Sequence, residues 1–153
     1  MCTGILACSH SGTQSPVAEN SIEIKYDSIK AANYGADQYG MKKYVMAFLK
    51  KGPNRDLDSI KAAELQMAHL ENIGKMAEAG KLVLAGPFLD DGALRGIYIF
   101  NVSSLEEAET LTNTDPAVQA GSLTLELREW YGSAGLLEVN KVHKTLSKQS
   151  ITE

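Results

Sequence analysis

Segments patterned as strand, helix, strand, strand, helix and strand follow one another in this sequence. That order predicts an α+β fold, a ferredoxin-like βαββαβ unit with an antiparallel sheet. A second observation extends the prediction. Three of the four strand segments are apolar on both faces, whereas a sheet covered on one face only should alternate apolar with polar. Two helices cover one face, and the other would expose a larger apolar patch than monomers tolerate. The simplest cover is a second copy of the same sheet, which makes the molecule a two-fold homodimer through that face. Beyond the last strand, Leu136, Val139, Val142 and Leu146 form the apolar stripe of an added C-terminal helix.

The elements follow in order. Residues 1–42 read as a flexible leader, because residues 9–21 (SHSGTQSPVAENS) hold too little apolar surface to offset their ordering entropy. Within the leader, Ile22 and Ile24 alternate with charge, and Asp27 is a candidate cap for a short helix through Ala32. The folded domain spans residues 43–148. Residues 43–49 (KYVMAFL) form the first strand, ended by Gly52-Pro53. From a cap at Asp56 or Asp58 a helix runs to about Ala79, where Gly80 stops it. Its stripe is Ala62, Leu65, His69, Ile73 and Met76. Residues 82–88 (LVLAGPF) and 95–102 (RGIYIFNV) are strands joined by a Gly-containing hairpin loop, with Leu82 and Leu84 on one face and Val83 and Ala85 on the other. Ser103 or Ser104 caps a helix over residues 105–112, with Glu106 and Glu107 in its first turn. Asp115-Pro116 opens a short turn or helix that Gly121 closes, and residues 123–130 (LTLELREW) are the last strand.

Composition narrows the function. The net charge of -4 is wrong for a nucleic-acid binder, and no apolar run approaches the ~18 residues of a membrane-spanning helix. The only cysteines, Cys2 and Cys8, lie at the N-terminus, which leaves the domain without a disulfide framework or a cysteine metal site. Ile5-Leu6-Ala7-Cys8 resembles a bacterial lipobox, although only seven residues precede Cys8 and Leu6 is large for its position. Two addresses therefore stand: the cytoplasm, or the cell envelope if Cys8 is the lipid-anchored residue of a longer precursor.

Chemistry rests on few residues. His69 sits mid-helix on the apolar stripe, and two readings stand for it. One is a core histidine whose ring N–H meets a backbone carbonyl; the other is a general base oriented by a carboxylate on its second nitrogen. Asp115 is a candidate carboxylate and equally an ordinary helix cap. Phe88, Asp90, Arg95 and Trp130 stand at strand ends as candidate substrate-binding residues, Phe88 and Trp130 as apolar walls and Arg95 as an anchor for an anionic group. Asp90 has a turn role beside that one. No P-loop, G-x-S-x-G or H-E-x-x-H motif occurs and no second metal-ligand cluster, so neither metal nor cofactor is expected.

Four motifs in order carry a resemblance over residues 43–131: Ala68-His69-Leu70; Gly80-Lys81-Leu82 leading to Ala85-Gly86-Pro87; the SLEEA of residues 104–108; and DPAVQAG over residues 115–121, close to a DP-x-V-x-A-G pattern. They resemble the YciI-like (YCII-related) proteins of the dimeric α+β barrel group. The resemblance implies a ferredoxin-like protomer that dimerises sheet on sheet, and a His–Asp dyad that falls on His69 and Asp115. It also implies general acid/base chemistry on a small oxygenated or cyclic compound, since relatives catalyse isomerisation, dehydrohalogenation and cofactor-free oxygenation. The alternative from another class is a non-catalytic small-molecule-binding or accessory dimerisation module.

Overall fold

The computed structural model describes residues 24–152. Cys2, Cys8, the lipobox-like run and His10 lie outside them. Helix α1 (Ser28–Asn33) is capped by Asp27, whose carboxylate accepts from Lys30 N–H at 2.9 Å. Strand β1 (Met41–Lys51) is followed by α2 (Ser59–Glu78), and Asp58 rather than Asp56 is its cap, accepting from Lys61 N–H. Strands β2 (Leu82–Pro87) and β3 (Leu94–Phe100) form the hairpin. Helix α3 (Leu105–Thr112) starts at Ser104, and Glu107 reaches back to Ser103 N–H at 3.1 Å. Then come α4 (Pro116–Gln119), β4 (Leu123–Ser133), a 3-10 turn (Ala134–Glu138) and α5 (Val139–Leu146).

The sheet has the order β2-β3-β1-β4 with every neighbour antiparallel, the ferredoxin-like arrangement. Its helix-side face carries Val45, Ala47, Leu49, Leu82, Tyr98 and Phe100 against Ile73 and Met76 of α2 and Ala108 of α3. Leu123, Leu125 and Leu127 continue this layer along β4. That is the domain's main core.

Three details differ from the sequence pattern, each for a physical reason. In β2 a register shift between Leu82 and Leu84 puts Leu82 opposite Phe100 and Leu84 opposite Ile99. The bulge sends Val83 and Leu84 to the same face, which strict alternation had separated. The C-terminal stripe does not run through one helix. Its first part, with Leu136, is wound as a 3-10 turn, and Val142 and Leu146 of α5 point away from the protein.

The third difference concerns the outer face of the sheet. Tyr44, Val83 and Ile99 are buried there beneath Leu136 and Leu137, with Met46, Leu84 and Trp130 packed beside them. One end of this face is thus covered by the chain's own C-terminal segment. Phe48 and Ile97, further along, are only half-buried.

Helix α1, within the segment read as leader, is tied to the C-terminal segment. Tyr34 O–H donates to the Glu138 carboxylate, and Lys30 pairs with the same group at 3.0 Å. These two partners hold the Glu138 carboxyl well below its usual range, at about 2.

Candidate functional site

Three elements converge on one buried polar cluster. His69 lies on the face of α2 that leans on the sheet, one turn before Ile73 and two before Met76, and only 8 % of it is exposed. Tyr98 projects from the middle of β3 on the helix-side face and is 2 % exposed. Asp115 precedes α4 with extended backbone, which turns its carboxylate back over the first turn. Its Oδ1 accepts from Ala117 N–H at 2.9 Å, so the cap role is real. Its Oδ2 lies 2.7 Å from His69 Nδ1, so the partner role is real as well. Asp115 is 1 % exposed, and its Oδ1 also lies 3.0 Å from His69 Nδ1.

These contacts fix the imidazole. A carboxylate only accepts hydrogen bonds, so Nδ1 carries the proton and donates it to Asp115, and Nε2 of the neutral ring keeps its lone pair. The acceptor at Nδ1 is a carboxylate and not a backbone carbonyl. The cluster is pinned from one side by Asn72, a turn beyond His69. Its amide donates to Thr114 O at 3.2 Å and to Thr114 Oγ1 at 3.0 Å, immediately before Asp115.

The Tyr98 hydroxyl stands 3.4 Å from His69 Nε2 and 3.5 Å from Asp115 Oδ2. Burial first, and the Asp115 charge second, push its pKa far above the ordinary phenol value. At neutral pH it is a hydroxyl and not a phenolate. Nothing in the sequence singles out Tyr98, because an aromatic residue in a core strand is ordinary packing. A polar tip beside a buried His–Asp pair is visible only once the chain is folded.

His69 and Tyr98 line a cleft of about 1530 Å³ between α2 and the helix-side face of the sheet, with Leu49, Leu65 and Leu123 as apolar walls. That is larger than one small ligand needs. Arg55, which the sequence reading passed over, lines the cleft too and donates to Ser122 O at 3.1 Å.

The four strand-end candidates fare differently. Arg95 lines the cleft, but its guanidinium donates to Asp90 O at 2.9 Å and lies near Asp91, closing the hairpin on itself. Asp90 accepts from Gly92 N–H at 2.6 Å, a turn role at an exposed site. Phe88 is 40 % exposed at the end of β2 and does not line the cleft. Trp130 lies on the opposite face of the sheet, 6.0 Å from the Tyr44 ring. Strand parity explains this. Leu123, Leu125 and Leu127 face the helices, so the even-numbered Trp130 faces away. No group of three or more His, Cys, Asp or Glu side chains among the described residues is placed to hold a metal. None of the described helices is long and apolar enough to cross a membrane.

Comparison with known proteins gives three findings. The family described as YCII-related domain matches residues 34–131. An uncharacterized protein of Bacillus subtilis, YjpA, is 37 % identical over 62 residues, which cover 40 % of this chain and 71 % of that protein. Among solved structures, the 5-chloro-2-hydroxyhydroquinone dehydrochlorinase (TftG) of Burkholderia phenoliruptrix, in complex with 2,5-dihydroxybenzoquinone, is 19 % identical. That match covers 56 % of this chain and 92 % of the other, at a TM-score of 0.44.

Proposed function

We propose, for a chain that belongs to the YCII-related family, that it is an enzyme in which His69 acts as general base on a small oxygenated substrate. The observation that carries this reading is the 2.7 Å hydrogen bond from His69 Nδ1 to a carboxylate itself fixed by a backbone N–H. Asp115 holds one tautomer and balances the positive charge that forms when Nε2 takes a proton. The proton comes from an acidic C–H or O–H of the substrate, and its electron pair stays on the substrate. Returned at another carbon, the proton completes an isomerisation; if the pair expels a leaving group, the reaction is an elimination. The apolar walls of the cleft keep water from competing for the proton.

The test is exchange of carbon-bound hydrogen for deuterium in a panel of cyclic ketones, followed by NMR in heavy water. The wild-type chain is expected to speed exchange for at least one compound. His69→Gln, which keeps a polar side chain of similar reach, is expected to lose that acceleration by 100-fold or more, on the order of the usual contribution of a positioned base. Equal exchange in both proteins would favour the binding-module reading.

Two copies of the chain joined through the outer face complete this proposal. The half-buried Phe48 and Ile97, beyond the reach of Leu136 and Leu137, support such a contact. Sedimentation equilibrium should report twice the 16.5 kDa chain mass, and a single-chain mass at all loadings would exclude it.

A further inference from the structure

Proton transfer at His69 leaves a negative charge to be housed, and Asp115, already an anion, cannot house it. We propose that the Tyr98 hydroxyl is the oxyanion donor of this site, hydrogen-bonding the substrate oxygen on which charge gathers as His69 takes the neighbouring proton. The substrates are therefore oxygen acids, enolisable ketones and phenols, rather than nitrogen acids or unactivated carbon acids. The inference rests on His69 as the base.

Position is the first argument. The hydroxyl is 3.4 Å from Nε2, so an oxygen next to the proton that Nε2 removes falls within reach of Tyr98 as well. Both residues line the same cleft. The ring is held edge-on against Phe100, with centroids 5.6 Å apart, and stacked on the imidazole at 6.3 Å. Such a donor is aimed before the substrate arrives, which is what makes a fixed dipole effective in a dry site.

The second argument is that the O–H is uncommitted. Its two contacts, 3.4 and 3.5 Å, are both longer than the roughly 2.5–3.0 Å of a good hydroxyl hydrogen bond. A charged substrate oxygen at about 2.7 Å is a better acceptor than either. The third is chemical state. Burial and Asp115 keep the phenol protonated, so Tyr98 donates a hydrogen bond and never competes with His69 as a base.

The step balances. With a ketone, Nε2 forms an N–H bond to the α-hydrogen, the C–H pair becomes the C=C bond, and the carbonyl π pair moves onto oxygen. The products are imidazolium and enolate, with the Tyr98 proton still on Tyr98 but bonded to the enolate oxygen. With a phenol, the O–H proton passes to Nε2 directly.

The probe is 4-nitrophenol, whose visible absorption reports its ionisation, added to the full chain across a pH series. Bound to the wild type, it should ionise at lower pH than when free. Tyr98→Phe should weaken phenolate binding about tenfold and move the bound probe's ionisation up by about one pH unit. His69→Gln, inactive as a base, should raise the pH at which the bound probe ionises to that of the free probe or above. An unchanged Tyr98→Phe beside an inactive His69→Gln would overturn the donor and leave the base standing. Two unchanged variants, or no binding by the wild type, would overturn both. A measurement on the unaltered chain covers any folding defect in Tyr98→Phe. Across ring-substituted phenolates, affinity should rise with the basicity of the oxygen, and a flat series would refute the donor.

Discussion

Asp115→Ala is expected to destabilise the domain by about 3 kcal/mol, whereas Asp115→Asn should cost at most about 1 kcal/mol yet be equally inactive. The alanine removes a helix cap worth about 1 kcal/mol. It also leaves the His69 Nδ1–H without its acceptor in a buried site, a further ~1–3 kcal/mol. For a chain of this size that is roughly a 10 °C fall in melting temperature. The asparagine keeps an oxygen for Ala117 N–H but then turns its amide N–H₂ toward Nδ1. Two donors cannot face each other, so the ring must adopt the other tautomer, with the proton on Nε2. That nitrogen has no lone pair left to act as a base. Thermal unfolding beside deuterium exchange separates the two roles of Asp115. Activity retained in the asparagine variant would show that orientation by a carboxylate is not needed.

Gly52→Ala should be as damaging, although it lies outside the polar cluster. A Cβ at Gly52 would stand 2.1 Å from Gly121 O, and both groups are backbone, so neither strand end can give way by a rotamer change. This close approach is one stitch in a seam. Gly52 N–H donates to Ser122 O, Asn54 N–H to Gly121 O, and the Asn54 amide to Ala120 O. The seam joins the segment before α2 to the end of α4, and Gly121 itself takes a φ of +67° that only glycine adopts without strain. His69 rides on α2 and Asp115 starts α4, so opening the seam moves the pair apart. Overpacking of this severity costs about 3 kcal/mol, and urea denaturation should show it. Gly74→Ala provides the opposite sign. Its Cβ meets nothing within 4 Å on an exposed turn of α2, so helix propensity should raise stability by about 1 kcal/mol. Equal midpoints for the two variants would contradict the steric argument.

The sequence carried much of this domain in local signals. Asp58, Ser104 and Asp115 were readable as caps because the side-chain oxygen and the helix start are neighbours in the chain. The order of elements, and with it the sheet, followed from period and turns. His69 and Asp115 stand 46 positions apart in the chain, and spacing alone could not close that gap; four motifs of a family resemblance did. Tyr98 stayed hidden because its hydroxyl matters only through two neighbours on other elements. The outward placement of Trp130 was legible, since parity along β4 assigns it to the face opposite Leu123, Leu125 and Leu127. The bulge at Val83 was not, because nothing in LVLAGP marks one extra residue.

The pairing of β1 with β4 has a consequence for how the molecule is made. Eleven residues of β1, Met41 to Lys51, find their partners only at Leu123 to Ser133. A chain leaving the ribosome completes α2, the hairpin, α3 and α4 while the middle strand of the future sheet is still bare along one side. The His69–Asp115 pair can meet in such a nascent chain, but β1 then serves as an edge, apolar on both faces and open to any passing strand. A stop codon just before residue 123 would thus yield a product that keeps every residue of the polar cluster and fails by clumping.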